Sequence, residues 1–351
     1  MDLEFLEIFP EQYEEYREQI LDLRKNVFPY EDLQKMEPVF WNWEFRDNIH
    51  QFSQIFLAKD LNTNQVIGHY ALIPYQLIIN GDSKLLGLAV DAMVHTRYRK
   101  KGVGSKLQKL AVDNSRFDGI IGYTLRDEIK SIEKKGGYQC IRKIPVYIYP
   151  INFKKILIDY ERGKYLFLAP IVKFLFRSFY RISNLQNSSM VVVNQIPNPT
   201  LNQFSIWLSN RFNAYGLRES KILSWRFSNE AGICYRILRY SGKSDVYFIT
   251  TRTEIHGLDS LNLLDIIFAE YDSDDISAGI NALKCYAIQE KCDCISFFCA
   301  DDDIISKITQ KVGFIKSPFR FQFIVHSNNN ELTKQLVRSN LYLTYYDTDF
   351  L

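Results

Sequence analysis

The segment VHTRYRKKGVGSKLQKL, residues 94–110, constrains the fold more than any other stretch of these 351 residues. An apolar strand, LAVDAMVH, runs into it, Gly102 and Gly104 permit a tight backbone path, and a helix-patterned run begins at once. The first backbone N–H groups of a helix lack partners and point outward, so a turn of this kind forms an anion site suited to a pyrophosphate. Glycine at 102 and 104 removes the Cβ that would hold a phosphate away, and Ser105 adds a hydroxyl. Arg97, Arg99, Lys100, Lys101 and Lys106 surround the turn with positive charge. The spacing is neither the G-x-G-x-x-G of a dinucleotide turn nor the GK[ST] of a nucleoside-triphosphate loop, since Gly104-Ser105-Lys106 is in the wrong order.

Around this turn the pattern predicts a mixed α/β sheet with helices packed on it. EQYEEYREQILDLRKNVF has helical spacing, and FSQIFLAKD with VIGHYALIPYQLIINGDSKLLGLAVDAMVH reads as several strands joined by Asn/Gly/Asp turns. SKLQKLAVDN reads as a helix, GIIGYTL as a buried strand, DEIKSIEKK as a second helix, and CIRKIPVYIYP as a closing strand. The second half repeats this order. Trp43-Glu44-Phe45 is answered by Trp225-Arg226-Phe227, Asp91 by Asp265, and Gly137 by Gly313, at nearly constant spacing. The expected organisation is 1–150, an apolar and basic helix and linker at 151–189 with the flexible Ser183–Ser189, and a degenerate second copy at 190–351. After Asp265 the second copy runs IIFAEYDSDDISAGIN, acidic where the first is basic, so a phosphate would be repelled there.

These features closely resemble the acetyl-CoA signature Q/R-x-x-G-x-G/A of the GCN5-related N-acetyltransferase (GNAT) superfamily, with Arg99, Gly102 and Gly104 in its fixed positions. The resemblance extends from about Phe56 to Tyr149, where Lys135-Gly136-Gly137-Tyr138 matches the end of the last motif helix. It implies a GNAT fold, duplicated, and acetyl-CoA or another acyl-CoA as co-substrate, with no metal. The two-domain pattern resembles bacterial sugar and polysaccharide biosynthesis members. In the family a bulge splays two central strands, and the pantetheine arm lies between them. The resemblance therefore places that arm along the backbone of Met93, Val94 and His95, and the pyrophosphate on Lys101, Gly102, Val103, Gly104 and Ser105.

Acyl transfer to an amine requires a base for the ammonium, a donor for the oxyanion and an acid for the thiolate. The family's Tyr is replaced here by Glu133 and its Asn by Arg126, so the acid is left open among Glu133, Tyr123 and water. Asp91 and Glu44 are the candidate bases, each with a bland alternative: a structural carboxylate for Asp91, a solvated face for Glu44. His95 reads as a loop or strand histidine. In the carboxy-terminal TYYDTDFL, Asp347, Asp349 and the terminal carboxylate of Leu351 read as a solvated tail, with insertion into the cleft as the alternative.

Bulk properties narrow the partners. Lys and Arg number 43 against 41 Asp and Glu, a net charge of +2, which offers no broad attraction for nucleic acid. Aromatic residues at 15% point to sheet and core packing. The acidic amino terminus has no secretory pattern, and a cytoplasmic location is expected. Tyr165–Tyr180 is interrupted by Pro170, Lys173 and Arg177 and is too short to span a bilayer. It reads as an inter-domain helix, or as a basic amphipathic helix in peripheral contact with a membrane. Cys292, Cys294 and Cys299 alternate as in a buried, reduced strand. The expected reaction is acyl transfer to a small-molecule amine, most plausibly a nucleotide-linked amino sugar. A peptide, protein or aminoglycoside acceptor and a non-catalytic acyl-CoA-binding protein are the alternatives.

Overall fold

The computed structural model describes residues 2–28, 33–125, 136–159, 190–229, 232–255, 257–300, 303–328 and 330–348. Arg126, Glu133, Lys135, the Tyr165–Tyr180 and Ser183–Ser189 segments, Asp349 and Leu351 lie outside them. In chain order the first set of elements is β1 (Leu3–Ile8), α1 (Tyr13–Val27), α2 (Pro38–Trp41), β2 (Gln54–Asp60), β3 (Gln65–Ile79), β4 (Asp82–Val94), α3 (Val103–Asn114), β5 (Ile120–Thr124) and β6 (Gln139–Pro150). The second set is α4 (Phe153–Asp159), β7 (Val191–Val193), α5 (Asn198–Arg211), β8 (Ala214–Gly216), α6 (Ser220–Arg226), β9 (Tyr235–Ser241), β10 (Asp245–Ile255), β11 (Leu258–Phe268), α7 (Ser273–Gln289), β12 (Cys294–Phe298), α8 (Ile304–Lys311), β13 (Ile315–His326), α9 (Glu331–Arg338) and β14 (Leu341–Tyr342). Among the described residues, the order helix, three-stranded meander, helix, strand of α1 to β5 returns from α6 to β12.

The chain divides into two units that are not contiguous segments. One comprises Met1–Lys143, Lys221–Ile233 and Phe321–Asn340; the other comprises Ile144–Ser220, Cys234–Arg320 and Leu341–Leu351. The reason is an exchange of closing strands. In the first unit β13 pairs antiparallel with β5, with Ile324 opposite Gly122. In the second unit β6 pairs antiparallel with β12, with Tyr147 opposite Phe297.

In the first unit β2, β3 and β4 form an antiparallel meander. The β3–β4 turn is Asn80-Gly81, both at positive φ (51° and 89°), the Asn-Gly signature of a tight two-residue hairpin. Helix α1 buries Tyr13, Tyr16, Ile20, Leu21, Leu23 and Arg24 on one stripe against β3 and β4. Helix α3 packs on the same sheet against β2, β3 and β4, where Val103, Leu107 and Ala111 join Phe56, Ile67, Leu72 and Tyr138 in one core cluster. Gly68 permits this approach, because a Cβ there would meet Leu107 Cδ1 at 2.8 Å and Val103 Cγ1 at 3.0 Å. The two W-x-F segments meet in this unit: Trp43 and Trp225 stack at 5.1 Å. Each indole N–H donates to the other's backbone carbonyl, at 2.9 and 3.2 Å.

Two readings of single residues are corrected. Glu44 is not on a solvated face, being 6% exposed on the π-helical turn Asn42–Arg46. TYYDTDFL is not a solvated tail over its described part: Tyr345, Tyr346 and Asp347 are 3%, 2% and 0% exposed. Cys292, Cys294 and Cys299 are buried and in no disulfide, with Cys294 opening β12. No group of residues able to hold a metal occurs among the described residues.

Candidate active site

Strand β4 carries a break in register. Its pairing with β3 slips between His69 opposite Met93 and Ala71 opposite Val90, so Asp91 and Ala92 together face Tyr70. This two-against-one mismatch is a β-bulge, and Asp91 takes φ +49°, a left-handed conformation uncommon for a residue other than glycine. Parallel pairing with β5 is confined to Gly87 with Ile120 and Leu88 with Ile121. Beyond Leu88 the two strands no longer form a ladder. Met93 and Val94 therefore lie on the part of β4 past its pairing with β5, His95 directly follows it, and Tyr123 lies two residues past the last β5 pair.

At the end of β4 the chain enters the basic turn. The backbone N–H of His95 donates to the Ile67 carbonyl at 2.9 Å, and a short 3-10 turn covers Thr96–Tyr98. The Arg99 Nε donates to the Val94 carbonyl at 3.3 Å. Lys100 and Gly102 both take positive φ, 61° and 81°. Only then does α3 start, and its first turn has no side-chain cap. Lys100, Lys101, Gly102 and Ser105 are exposed, while Val103 is anchored in the core. The turn is thus held rigidly by one residue and offers its amides and cations outward, as an anion site requires. Burial, followed by the charges of Arg97 and Arg99, pulls the His95 imidazole below its usual range, so it is neutral at pH 7.

Two tethers were not read from the sequence. The Tyr98 hydroxyl donates to Asp60 Oδ2 at 2.5 Å, tying the turn to the end of β2. This bond pushes the tyrosine hydroxyl up and holds the Asp60 carboxyl below its usual range. Lys101 Nζ lies 5.1 Å from the centroid of the Tyr98 ring, so the same tyrosine orients a cation of the turn. Replacing Tyr98 with Phe is expected to weaken coenzyme A binding roughly five- to ten-fold, the value of one hydrogen bond, as measured by calorimetric titration. The second tether holds the bulge: Arg24 of α1 pairs with Asp91 Oδ2 at 2.7 Å, both side chains being under a tenth exposed. The expected Asp91 carboxylate is thus brought to the bulge already engaged.

Residues 11–124 match the family model for the acetyltransferase (GNAT) domain. Solved structures agree over nearly the whole chain. An N-myristoyltransferase of Saccharomyces cerevisiae with bound myristoyl-CoA superposes with a TM-score of 0.59 at 11% identity, covering 93% of this chain and 79% of that one. A GCN5-related N-acetyltransferase from Anabaena variabilis gives 0.58 at 11% identity, covering 92% and 72%. A probable N-acyltransferase from Enterococcus faecalis gives 0.57 at 9% identity, covering 93% and 72%. The chain has the GNAT fold. No curated protein matches it in sequence.

The second set of elements has its own version of the separation of β4 from β5. Strand β10 slips against β11 between Ile249 and Thr250, next to Asp265, and parallel pairing of β11 with β12 ends at Leu263 with Phe297. There the opening is filled. Thr344 bridges Cys299 just past β12, Tyr345 stacks on Phe298 at 5.4 Å, and the Tyr342 hydroxyl donates to Asp265 Oδ1 at 2.8 Å. Arg218, fully buried, bonds Asp265 Oδ2 at 3.0 Å and Asp347 Oδ2 at 2.7 Å. The helix that follows β11 is closed as well, because Asp272 Oδ1 accepts from the amides of Asp274 and Asp275 at 2.7 and 3.3 Å. A carboxylate occupies the position that a phosphate would need.

Proposed function

We propose that this chain transfers an acyl group from acyl-CoA, acetyl-CoA in the simplest case, to the amine of a small molecule, and that a nucleotide-linked amino sugar is the acceptor. The observation that carries this reading is the pairing of an uncapped, basic helix start at Gly102–Ser105 with strands that separate beyond Leu88. In it the pyrophosphate rests on Lys101, Gly102, Val103, Gly104 and Ser105, with Arg99 and Lys100 flanking. The pantetheine arm adds as a strand along Met93, Val94 and His95. A backbone N–H of the bulge meets the oxyanion. Tyr123, on the far side of the separation, donates the thiolate proton, with Glu133 as the alternative. Because Asp91 Oδ2 is committed to Arg24, we assign Asp91 to shaping the bulge, and the ammonium proton leaves to Glu44 or solvent.

The filled second opening supports one acyl-CoA per chain, and the repeated element order supports reading 1–150 and 190–351 as copies joined by 151–189. No helix among the described residues is long and apolar enough to cross a membrane. The reading places the reaction in the cytoplasm, where acyl-CoA is made and consumed. Incubation with acetyl-CoA and a panel of amino sugars, aminoglycosides and peptides, followed by free-thiol release, is expected to give amine-dependent turnover with an amino sugar. A panel with myristoyl-CoA as donor sets the chain length. Coenzyme A binding without thiol release for any donor and amine would instead establish a binding protein.

A further inference from the structure

A left-handed aspartate inside a strand persists only when its surroundings fix it, because the conformation is strained for a residue other than glycine. Arg24 holds the Asp91 side chain, and the ladder holds the residues on either side, Val90 opposite Ala71 and Met93 opposite His69. The Asp91 carbonyl remains. The bulge takes it out of the β3 ladder, and a buried carbonyl without a donor is unfavourable.

His69 supplies that donor. It lies on β3, 1% exposed, with Nδ1 at 2.8 Å from the Asp91 carbonyl oxygen and its ring edge-on to Phe45 at 5.9 Å. A carbonyl oxygen only accepts, so the proton of this contact sits on Nδ1. Burial disfavours a second proton on the ring, as does the Arg24 charge, while the Asp91 carboxylate favours one; the burial effect is the largest and the imidazole stays neutral. Nε2 then carries a lone pair, and it has no hydrogen-bond partner among the described residues.

We infer that His69 is a positioning residue for the acyl-transfer centre: its Nδ1–H, donated to the Asp91 carbonyl, locks the bulge that turns the Ala92–Met93 backbone toward the reacting thioester. This rests on the acyltransferase reading, and its structural half stands apart from it. The bulge sets the direction of the amides that follow Asp91. Without the lock, Asp91 relaxes toward extended geometry, those amides rotate, and the oxyanion loses its donor. The pyrophosphate site on α3 is anchored separately through Val103 and Tyr98, so its share of cofactor affinity is untouched, whereas the pantetheine arm along Met93–His95 is disturbed with the amides.

The test uses three variants of the full chain. Asn places an amide N–H where His carries Nδ1, Gln places one near Nε2, and Leu offers neither. For His69→Gln and His69→Leu, kcat is expected to fall roughly ten- to a hundred-fold, with the Kd of ADP, which carries a pyrophosphate and no pantetheine arm, within about three-fold of the parent. His69→Asn is expected to retain activity within about three-fold. Hydrogen exchange at the Ala92, Met93 and Val94 amides should rise in the Gln and Leu variants and stay at parent level in the Asn variant. That readout requires no catalysis, so it decides the lock even if the parent chain transfers no acyl group. An active Gln variant beside an inactive Asn variant would assign the chemistry to Nε2 and overturn the inference. Equal loss in all three, or unchanged amide exchange in the Gln variant, would overturn it also. If the Leu variant does not fold, the Asn and Gln pair carries the decision.

Discussion

Arg218→Met is expected to destabilise the fold by about 3–5 kcal/mol, the cost of leaving buried charge without its partner. Arg218 is enclosed, with its guanidinium 5.1 Å from the Tyr342 ring centroid and 4.2 Å from that of Tyr346. It bonds Asp265, Asp347 and the Gly216 carbonyl at 3.0, 2.7 and 2.6 Å. Methionine fills much of the volume and removes every donor, stranding two carboxylates at 0% exposure. The loss should vary with pH in a defined direction. Burial raises the Asp265 carboxyl above its ordinary value despite Arg218, so at pH values between the unfolded and folded pKa the folded state keeps a proton there that the unfolded chain has released. Such a group stabilises the fold below its unfolded pKa, and that contribution is lost as pH rises toward the folded value. Removing Arg218 raises the folded value further, so the deficit of the variant should be smallest near pH 4 and widen toward pH 7. Denaturant titration at a series of pH values measures it; a deficit that shrinks with rising pH would contradict the assignment.

The second large effect is on binding. Gly104→Glu should reduce coenzyme A affinity by more than about 100-fold while leaving the melting temperature nearly unchanged. Gly104 is the second residue of α3, in a first turn with no acidic residue and no side-chain cap. A carboxylate there caps the free amides and repels the pyrophosphate, as Asp272 does at the start of α7. Losing two charge-assisted hydrogen bonds costs about 3–4 kcal/mol, which corresponds to two to three decades in Kd. Gly104→Ala adds bulk without charge and should lose less. Calorimetric titration of both variants separates the two contributions, and equal affinity of Gly104→Glu and the parent would move the phosphate site elsewhere.

The glycine turn and the helix start after it were legible because local sequence determines them: glycines, basic residues and a helix pattern lie within a dozen positions. The meander and its Asn80-Gly81 turn were legible for the same reason. The two tethers were not, since Tyr98 with Asp60 and Arg24 with Asp91 are separated by 38 and 67 residues, and pairing at such range leaves no pattern in one chain. The bulge was expected from the resemblance at the right strand, yet nothing in LAVDAMVH marks Asp91 as the left-handed residue. The carboxy-terminal segment was misread because Thr344, Asp347 and Thr348 are polar, and polarity usually means solvent. Here the Asp347 carboxylate is bonded by Arg218 and by the Thr344 amide, at 2.7 and 2.8 Å. Arg218 gave no sign of this in its own neighbourhood.

The exchange of closing strands has a consequence during synthesis. Strand β5 is translated by residue 124, but the segment that covers its outer edge, Gln322–His326, is made only after β6 to β12 have been translated. Until then an apolar strand edge, Ile120-Ile121-Gly122-Tyr123-Thr124, waits with open backbone groups. The nascent chain therefore carries an unfinished first sheet while β6 to β12 are being made, and in that interval it is exposed to aggregation and to chaperone capture.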